Sequence, residues 1–346
     1  MEINDDPTFI YILQLYGLNR SAFSIERIGT GHIHQTYKLN GKKSYVLQRV
    51  NKNVFKHPEV IASNLRLAGK YLAVHFPQYL FLRCIPSLED EEMIYDLEGF
   101  PWRLFPYLEN TLTVDKVDHV EKAFSAAREF ARLTRCLDGI EVHQFNETIP
   151  QFHDLAFRYQ QFETALRGAP ADRKQAAQDC IDACQQASTW VEIYQQLLRS
   201  GSLRLRVTHN DTKINNVLFD KTTLQATCVI DLDTLMPGYF IYDLGDMVRT
   251  FVSPVSEEES DGSKIVFRKE IYDAVLKGYL SEMKEVMSRE EIEAIPFAGK
   301  MMTYIMGLRF LADYLRGDTY YHTTHPGQNL VRARNQLTFL EKLQIL

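Results

Sequence analysis

The chain has 346 residues, a formal net charge of −6 and a hydrophobic share of 45%. Its length exceeds one typical domain of about 100–200 residues, and its apolar content excludes a disordered chain. The acidic balance and the lack of any Lys/Arg run exclude the footprint that phosphate-backbone binding requires, so no nucleic-acid partner is expected.

Cysteine usage and apolar runs limit the compartment. The five cysteines are odd in number and form no Cys-x-x-Cys pair, so we expect reduced thiols rather than a disulfide framework or a zinc site. Residues 1–7 are acidic rather than basic, and no stretch of about 18 apolar residues occurs. We therefore expect no membrane partner, no implied protein partner and, by default, a cytoplasmic protein.

Short, alternating, β-rich pieces dominate the first third of the chain. They are broken by turn signals such as Asn40-Gly41 and lie at 37–39, 45–50, 93–97 and 102–105. After Pro58, apolar residues recur at a spacing of three to four and predict one main helix. Residues 1–106 are therefore predicted to form a small antiparallel sheet with one helix packed on it.

Beyond Tyr107 the apolar period becomes helical. Helices are predicted near 116–137, 151–166, 171–199, 266–287, 297–316 and 327–345. Ser288 and Glu291 have the spacing of a capping box. The sequence thus predicts an α+β protein of two lobes, in which residues 107–346 form the larger, mostly helical lobe and a cleft opens at a hinge near 105–107.

The strongest chemical signal is the segment T-H-N-D-T-K-I-N-N at 208–216, followed by an apolar strand and Asp231. Phosphoryl transfer from ATP needs Mg²⁺ between the phosphates and an acceptor hydroxyl held in line, and carboxylate and amide oxygens suffice for both tasks. Asp211 can aim at the acceptor while Asn216, five positions later, turns its amide oxygen to the metal. Each of these residues alone would be read as a turn former. The ordered set predicts a kinase.

The order and spacing of these residues resemble those of the kinase-like phosphotransferases. In that group an H-x-D-x-x-x-x-N loop precedes a strand that ends in I-D, whose aspartate binds the metal. The resemblance implies a protein-kinase-like bilobal fold, Asp211 as the catalytic carboxylate, and Asn216 and Asp231 as Mg²⁺ ligands. It also implies that His209 braces the loop and makes Asp233 a weaker candidate for a second metal.

Longer shared strings are similar to the N-acetylhexosamine 1-kinases, within the superfamily of aminoglycoside phosphotransferases and choline kinases. These strings include Y-V-L-Q-R at 45–49, I-D-L-D-T-L-M-P-G at 230–238 and G-L-R-F-L-A-D-Y-L-R-G-D-T-Y at 307–320. The resemblance implies sugar contacts at His32, Asp211, Arg309 and Tyr320. Helical spacing also permits an exposed ion pair between Arg309 and Asp313, which is the alternative for that arginine.

The nucleotide contacts are less well defined. Gly29, Thr30 and Gly31 begin a loop that resembles a phosphate-covering loop but lacks its third glycine, so a plain hairpin turn is the alternative. On the next strand, Gln48 stands where kinases carry a phosphate-pairing lysine, and Arg49 follows it. Because neighbouring strand residues face opposite sides, the choice between these two stays open.

Adenine is expected against the hinge, at main-chain groups near Phe105 and Tyr107. Val46 and Leu104 would surround it, although the same side chains would serve equally well as core. The helix glutamate that usually pairs with the kinase lysine cannot be named, and Glu59 is the one candidate.

The sequence thus predicts ATP- and Mg²⁺-dependent phosphorylation of an N-acetylhexosamine at its C1 hydroxyl, with Asp211 as base and a small-molecule sugar as partner. The alternatives are a kinase of an aminoglycoside, choline or another sugar, and a non-catalytic nucleotide-binding protein. The intact Asp211, Asn216 and Asp231 argue against the last of these.

Overall fold

The smaller lobe is built on one antiparallel sheet in the computed structural model, which describes residues 6–29 and 34–346. Its strands are β1 (Ser24–Ile28), β2 (Gln35–Asn40), β3 (Tyr45–Arg49), β4 (Ile94–Tyr95) and β5 (Pro101–Pro106). Their spatial order is β1-β2-β3-β5-β4. The turn signal Asn40-Gly41 lies where β2 ends, and β3 returns antiparallel to it, so the predicted small sheet is confirmed.

Two helices accompany this sheet. The predicted main helix is α2 (Pro58–His75), and a short helix, α1 (Pro7–Leu15), precedes the first strand. The Asp6 carboxylate caps α1 by accepting from the Thr8 N–H at 2.8 Å. Buried side chains of α1, among them Ile12, pack with Leu39 and Trp102 in the small-lobe core. The sequence analysis missed α1 because it is only 9 residues long.

The larger lobe is mostly helical. Its helices are α3 (Val120–Cys136), α4 (Leu155–Gly168), α5 (Ala171–Ala176), α6 (Gln178–Gln186), α7 (Thr189–Arg199), α8 (Phe240–Phe251), α9 (Lys269–Met283), α10 (Arg289–Glu293), α11 (Ile295–Leu315) and α12 (Gln328–Lys342). The prediction of a single helix over 171–199 is wrong, since the helix is interrupted at Ala177 and again between α6 and α7. The two-lobed α+β fold is confirmed.

Helix α8 was also missed, although it lies at the centre of the lobe. Its polar side chains Asp243, Asp246 and Arg249 are buried, so its sequence lacks the exposed polar face of an ordinary surface helix. It packs closely on α11: a Cβ added at Gly245 would lie 2.4 Å from the Ala298 carbonyl oxygen. Glycine at this position is therefore a packing requirement.

The predicted capping box begins α10. Ser288 Oγ accepts from the Glu291 N–H at 3.1 Å, and the Glu291 carboxylate accepts in return from the Ser288 N–H at 3.1 Å. The same carboxylate forms an ion pair with the buried Arg206 guanidinium, with Nη1 at 2.5 Å from Oε1. One glutamate thus fixes both the helix start and the strand that leads into the site.

Short strands position the loops of the larger lobe. They are β6 (Thr111–Leu112), β7 (Arg206–Thr208), β8 (Val217–Asp220), β9 (Ala226–Val229) and β10 (Met236–Gly238). Strand β8 lies between β6 and β9, and β7 pairs with β10. In the described part of the chain, no helix has both the length and the apolarity that crossing a bilayer requires. All five cysteines are free and buried.

Candidate functional site

The loop between β7 and β8 carries Asp211, and α8 holds its backbone in place. The Asp243 carboxylate accepts from the N–H groups of His209, at 3.0 Å, and Asn210, at 2.7 Å. Asn210 has a left-handed φ of 64°, which asparagine tolerates better than most residues. Its amide group donates to the carbonyl oxygens of Thr208, Thr234 and Met236. The loop is therefore fixed before any ligand binds.

His209 links this loop to the strand behind it. Its Nδ1 accepts from the Asp211 N–H at 3.2 Å, and its Nε2 donates to the Ile230 carbonyl oxygen at 3.0 Å. The two bonds together define a neutral ring with its proton on Nε2. The ring braces the loop that carries Asp211 against the end of β9.

Asp211 is held on both of its carboxylate oxygens. Lys213 Nζ lies 3.0 Å from Oδ1, and Asn216 Nδ2 donates to Oδ2 at 3.0 Å and to the Asp211 carbonyl oxygen at 2.8 Å. Burial acts to raise the pKa of Asp211, but the groups around the carboxylate, with Lys213 first among them, together outweigh burial and lower the net pKa. The carboxylate is therefore ionised at neutral pH. Lys213 was missed, although a lysine two positions after the aspartate was visible in the sequence.

Two oxygens suited to a hard divalent cation lie beside Asp211. Because Asn216 donates through Nδ2 to Asp211, its Oδ1 points away from that carboxylate and is available as a ligand. Asp231 follows β9 with a left-handed φ of 58°, and both residues line one cleft. The protein packed around Asp231 raises its pKa, and repulsion from Asp233 raises it further. A bound Mg²⁺ would relieve that repulsion, so the residues fit the ion.

Asp233 is committed to protein partners. Its Oδ1 forms an ion pair with the Arg103 guanidinium, and its Oδ2 is 2.6 Å from His34 Nε2. Burial opposes ionisation, but Arg103 and His34 hold the pKa of Asp233 well below its usual range. Potential ligand atoms of His34, Asp231 and Asp233 lie within 4.8 Å of one another. As a second-metal ligand, Asp233 would have to exchange these contacts.

A cleft of about 630 Å³ lies between the small-lobe sheet and the segments that carry Asn216, Asp231 and Asp233. Of the nucleotide contacts expected from the sequence, Gly29, Val46, Gln48, Phe105 and Tyr107 line it. Thr30, Gly31 and His32 lie outside the described residues.

Two expected nucleotide contacts lie elsewhere. Leu104 is 1% exposed and belongs to the small-lobe core. Arg49 stacks on the Phe100 ring, with its Cζ 3.6 Å from the ring centroid, and approaches Asp96 at 3.7 Å. Of these two strand neighbours, Gln48 therefore faces the cleft and Arg49 the other side of the sheet.

Two further groups considered in the sequence analysis are engaged within the protein. The Tyr107 N–H already donates to the Ser44 carbonyl oxygen at 3.1 Å, so it does not offer a free donor to a base. Glu59 is exposed and bonds to the His57 ring at 3.0 Å, so it pairs with neither Gln48 nor Arg103.

Comparison with known proteins places this geometry in a family. A model of the phosphotransferase enzyme family matches residues 24–280. The chain belongs to that family. Among solved structures, this phosphotransferase is similar to a microcompartment-associated aminopropanol kinase, with 16% identity, a TM-score of 0.62, and coverage of 98% of this chain and 97% of that one.

Two other solved structures are similar in fold to this phosphotransferase. Amicoumacin kinase, in complex with AMP-PNP, Ca²⁺ and Ami, has 13% identity, a TM-score of 0.60, and coverage of 98% of this chain and 94% of that one. Choline kinase from Cryptosporidium parvum has 14% identity, a TM-score of 0.59, and coverage of 99% and 96%. These likenesses confirm the kinase-like fold.

Helix α11 carries Arg309, which the sequence analysis expected to contact the acceptor. Its Cζ lies 5.0 Å from the ring centroid of Phe152, 5.5 Å from that of Tyr321 and 6.0 Å from that of Tyr320. Its hydrogen-bond partner is the weak acceptor Met306 Sδ at 3.6 Å. Within the described part of the chain, Arg309 forms no ion pair with a carboxylate.

The exposed Arg309–Asp313 pair considered above is therefore not formed. Asp313 is buried, and its carboxylate accepts from the N–H groups of Thr319, Tyr320 and Tyr321 at 2.8 to 3.0 Å. Asp313 thus shapes the turn that presents Tyr320, which is 60% exposed.

A buried histidine, His153, lies between the loop that carries Asp211 and the region around Arg309. His153 Nε2 donates to the Asn210 carbonyl oxygen at 2.8 Å. Burial lowers the pKa of His153 to about 3, and the positive charges of Arg309 and Arg158 contribute, while Asp211 acts in the opposite sense. Burial, with repulsion from Arg309 second, also lowers the pKa of Arg158 to about 10. Two arginines thus lie near one another beside the loop, and the sequence analysis had identified only one of them.

Proposed function

We propose that this phosphotransferase is a small-molecule kinase, which moves the γ-phosphoryl group of ATP, with Mg²⁺, onto the anomeric C1 hydroxyl of an N-acetylhexosamine. The observation that carries the proposal is that Asn216 and Asp231 line a single cleft and that Asn216 is hydrogen-bonded to the Asp211 carboxylate. That set supplies what phosphoryl transfer needs from a protein, which is alignment of the acceptor and oxygen ligands for a metal.

Asp211 has the role of orienting the acceptor hydroxyl and taking its proton late in the reaction. It suits this role because its lowered pKa keeps it ionised, and because Asn216 and Lys213 fix its two oxygens. A positioned general base typically contributes about 10²- to 10⁴-fold to rate. Lys213 adds a positive charge beside the Asp211 carboxylate.

Asn216 and Asp231 would hold the metal, which supplies charge neutralisation between the phosphates when it is bound. The complex of amicoumacin kinase with AMP-PNP and Ca²⁺ supports the use of a nucleotide and a divalent cation in this fold. The adenine base of the nucleotide would lie at the hinge end of the cleft, where Val46, Phe105 and Tyr107 line the wall.

The acceptor side favours a neutral, oxygen-rich molecule. Arg309 and Arg158 offer positive charge and N–H donors, and the Phe152 and Tyr320 rings offer apolar faces. A sugar ring with several hydroxyl groups and an acetamido oxygen matches these groups. A cationic acceptor such as choline or an aminoglycoside would instead meet repulsion, which favours the sugar over those alternatives.

The test is an acceptor panel with Mg-ATP, in which ADP release is followed for N-acetylglucosamine, N-acetylgalactosamine, glucose, choline and an aminoglycoside. We expect turnover with the two N-acetylhexosamines and at least tenfold lower kcat/KM with glucose. Glucose lacks the acetamido group, and each hydrogen bond that is lost costs about 1–3 kcal/mol. Turnover confined to choline or the aminoglycoside would reject the substrate assignment and retain the kinase. No turnover with any acceptor would count against the catalytic proposal itself.

A further inference from the structure

A buried arginine lines the nucleotide cleft beside the position where a lysine was expected. Arg103 of β5 is 2% exposed and lies directly opposite Gln48 of β3 in the strand register. Its Nε and Nη2 donate to Gln48 Oε1 at 2.8 Å and 2.5 Å, and its guanidinium also forms the ion pair with Asp233. Arg103 is therefore held from two directions.

Both partners of Arg103 are themselves fixed. Gln48 Nε2 donates to Thr36 Oγ1 at 3.1 Å, which turns its amide oxygen toward the arginine. Asp233 is bonded to His34 Nε2, and His34 Nδ1 accepts from the Asn51 N–H at 3.0 Å. The chain of contacts joins three strands of the small-lobe sheet to the loop that carries Asp231.

The charges that line the cleft are unevenly distributed. Among the described residues they are Glu26, Lys38, Arg103, Asp115, Lys221, Asp231 and Asp233. Lys38 Nζ lies 4.0 Å from the Tyr107 ring centroid, at the hinge. The Lys221 N–H donates to the Asn110 carbonyl oxygen, between β5 and β6, which also places this residue toward the hinge. At the end where Asp231 lies, the described lining contains one cation, Arg103.

We propose that Arg103 binds the phosphates of the nucleotide and takes the place of a cation on β3, an inference that rests on the proposed use of ATP. A guanidinium has five N–H groups. Gln48 takes two and the contact with Asp233 one, which leaves two for phosphate oxygens. The glutamine is explained as well, because a lysine at position 48 would face Arg103 directly across the strand pair, and like charges so placed repel.

The test measures binding of adenosine, ADP and ATP by titration calorimetry to wild type, Arg103→Met and Arg103→Lys. We expect Arg103→Met to weaken ADP and ATP binding by about 10- to 100-fold, as expected for one or two lost charge-assisted hydrogen bonds, with adenosine affinity unchanged. Arg103→Lys should recover part of the loss. Arg49→Met is the matched control: it removes an arginine that also contacts a buried aspartate, on the other face of the sheet.

Removing Arg103 alone leaves Asp233 buried with a single partner, and the variant could unfold. Arg103→Met/Asp233→Asn removes both charges and should show the same selective loss of ADP and ATP binding. Asp233→Asn alone keeps the arginine, so its ATP affinity should exceed that of the double variant by about 10- to 100-fold.

Equal ATP affinity in wild type and the double variant would overturn the role of Arg103 and leave the proposed kinase activity standing. A parallel loss of adenosine binding would also overturn it, since the effect would then be distortion of the cleft. A wild-type protein that binds no ATP would overturn both proposals.

Discussion

Arg103, on the proposed nucleotide side, and Arg309, on the proposed acceptor side, differ in the partners that balance their charge. Arg103 is buried against Gln48 and Asp233 and forms an ion pair. Arg309 lies over aromatic rings, and in the described chain it has a methionine sulfur rather than a carboxylate as its partner. The first is held in one geometry before a ligand arrives. The second, with Arg158 nearby, carries charge that a ligand must satisfy.

The same contrast separates the loop that carries Asp211 from the proposed acceptor contacts. Asp211 is surrounded by fixed partners, whereas Tyr320 is 60% exposed and is positioned through its backbone N–H to Asp313. In the proposed mechanism, catalysis depends on the residues held by fixed partners, and the choice of acceptor depends on the more exposed ones. Changes on the first side should lower turnover, and changes on the second should mainly weaken binding of the acceptor.

The largest effect is expected from Asp211→Asn. Loss of the ionised carboxylate should lower kcat by about 10²- to 10⁴-fold with little change in thermal unfolding. Steady-state ADP release and a melting curve measure the two quantities. Asp273→Asn, on the exposed surface of α9, is the control and should retain full activity. Retained turnover in Asp211→Asn would remove the residue from the mechanism.

Arg309→Met should raise the acceptor KM by about 10- to 100-fold and leave kcat and the KM for ATP nearly unchanged, because it removes hydrogen bonds made in both ground and transition states. Initial-rate kinetics with each substrate varied in turn would show this. Arg289→Met is the matched control, since that arginine is exposed and pairs with Glu293. An unaltered acceptor KM would break the distinction between the two sides.

Gly245→Ala tests the contact that joins the sides, since α8 anchors the loop through Asp243 and α11 carries Arg309. A Cβ 2.4 Å from the Ala298 carbonyl oxygen forces the helices apart and should cost about 1–3 kcal/mol in unfolding free energy. Denaturant midpoints measure it. Gly168→Ala, where nothing lies within 4 Å of the added Cβ, should be neutral or slightly stabilising. Equal stability of both variants would contradict the packing.

The last prediction concerns the pH dependence of stability. The folded-state pKa of His153, about 3, lies below its ordinary value of 6.5, so the stability it contributes is present above pH 6.5 and is lost as pH falls toward 3. The loss is about 1.4 kcal/mol per pH unit in that window. Unfolding free energies of wild type and His153→Gln between pH 7 and about pH 5 should therefore converge. Exposed His325→Gln should keep the wild-type slope, and parallel slopes for all three proteins would refute the assignment.

The sequence predicted the fold class, which is confirmed, and the proximity of Asp211 and Asn216, because both depend on local signals. Asn216 bonds to Asp211 five positions away, so their spacing alone carried the geometry. Arg103 and His34 were missed since their partners are remote: Gln48 is 55 positions from Arg103, and Asp233 is 199 from His34.

Strand alternation showed that Gln48 and Arg49 face opposite sides but not which side is the cleft. Helical periodicity likewise ran through the interruption at Ala177, because it records which residues are buried and not whether one helix continues. The division at residue 106 and the individual site roles stay predictions.

The central claim is transfer of phosphate to the anomeric hydroxyl, and the linkage of the product tests it most directly. Wild-type protein, Mg-ATP and N-acetylglucosamine would be incubated together and the product examined by phosphorus and proton NMR. We expect a sugar phosphate whose phosphorus couples to the anomeric proton. A phosphorus that couples to protons at C3 or C6, or phosphate found only as ADP and inorganic phosphate, would contradict the account.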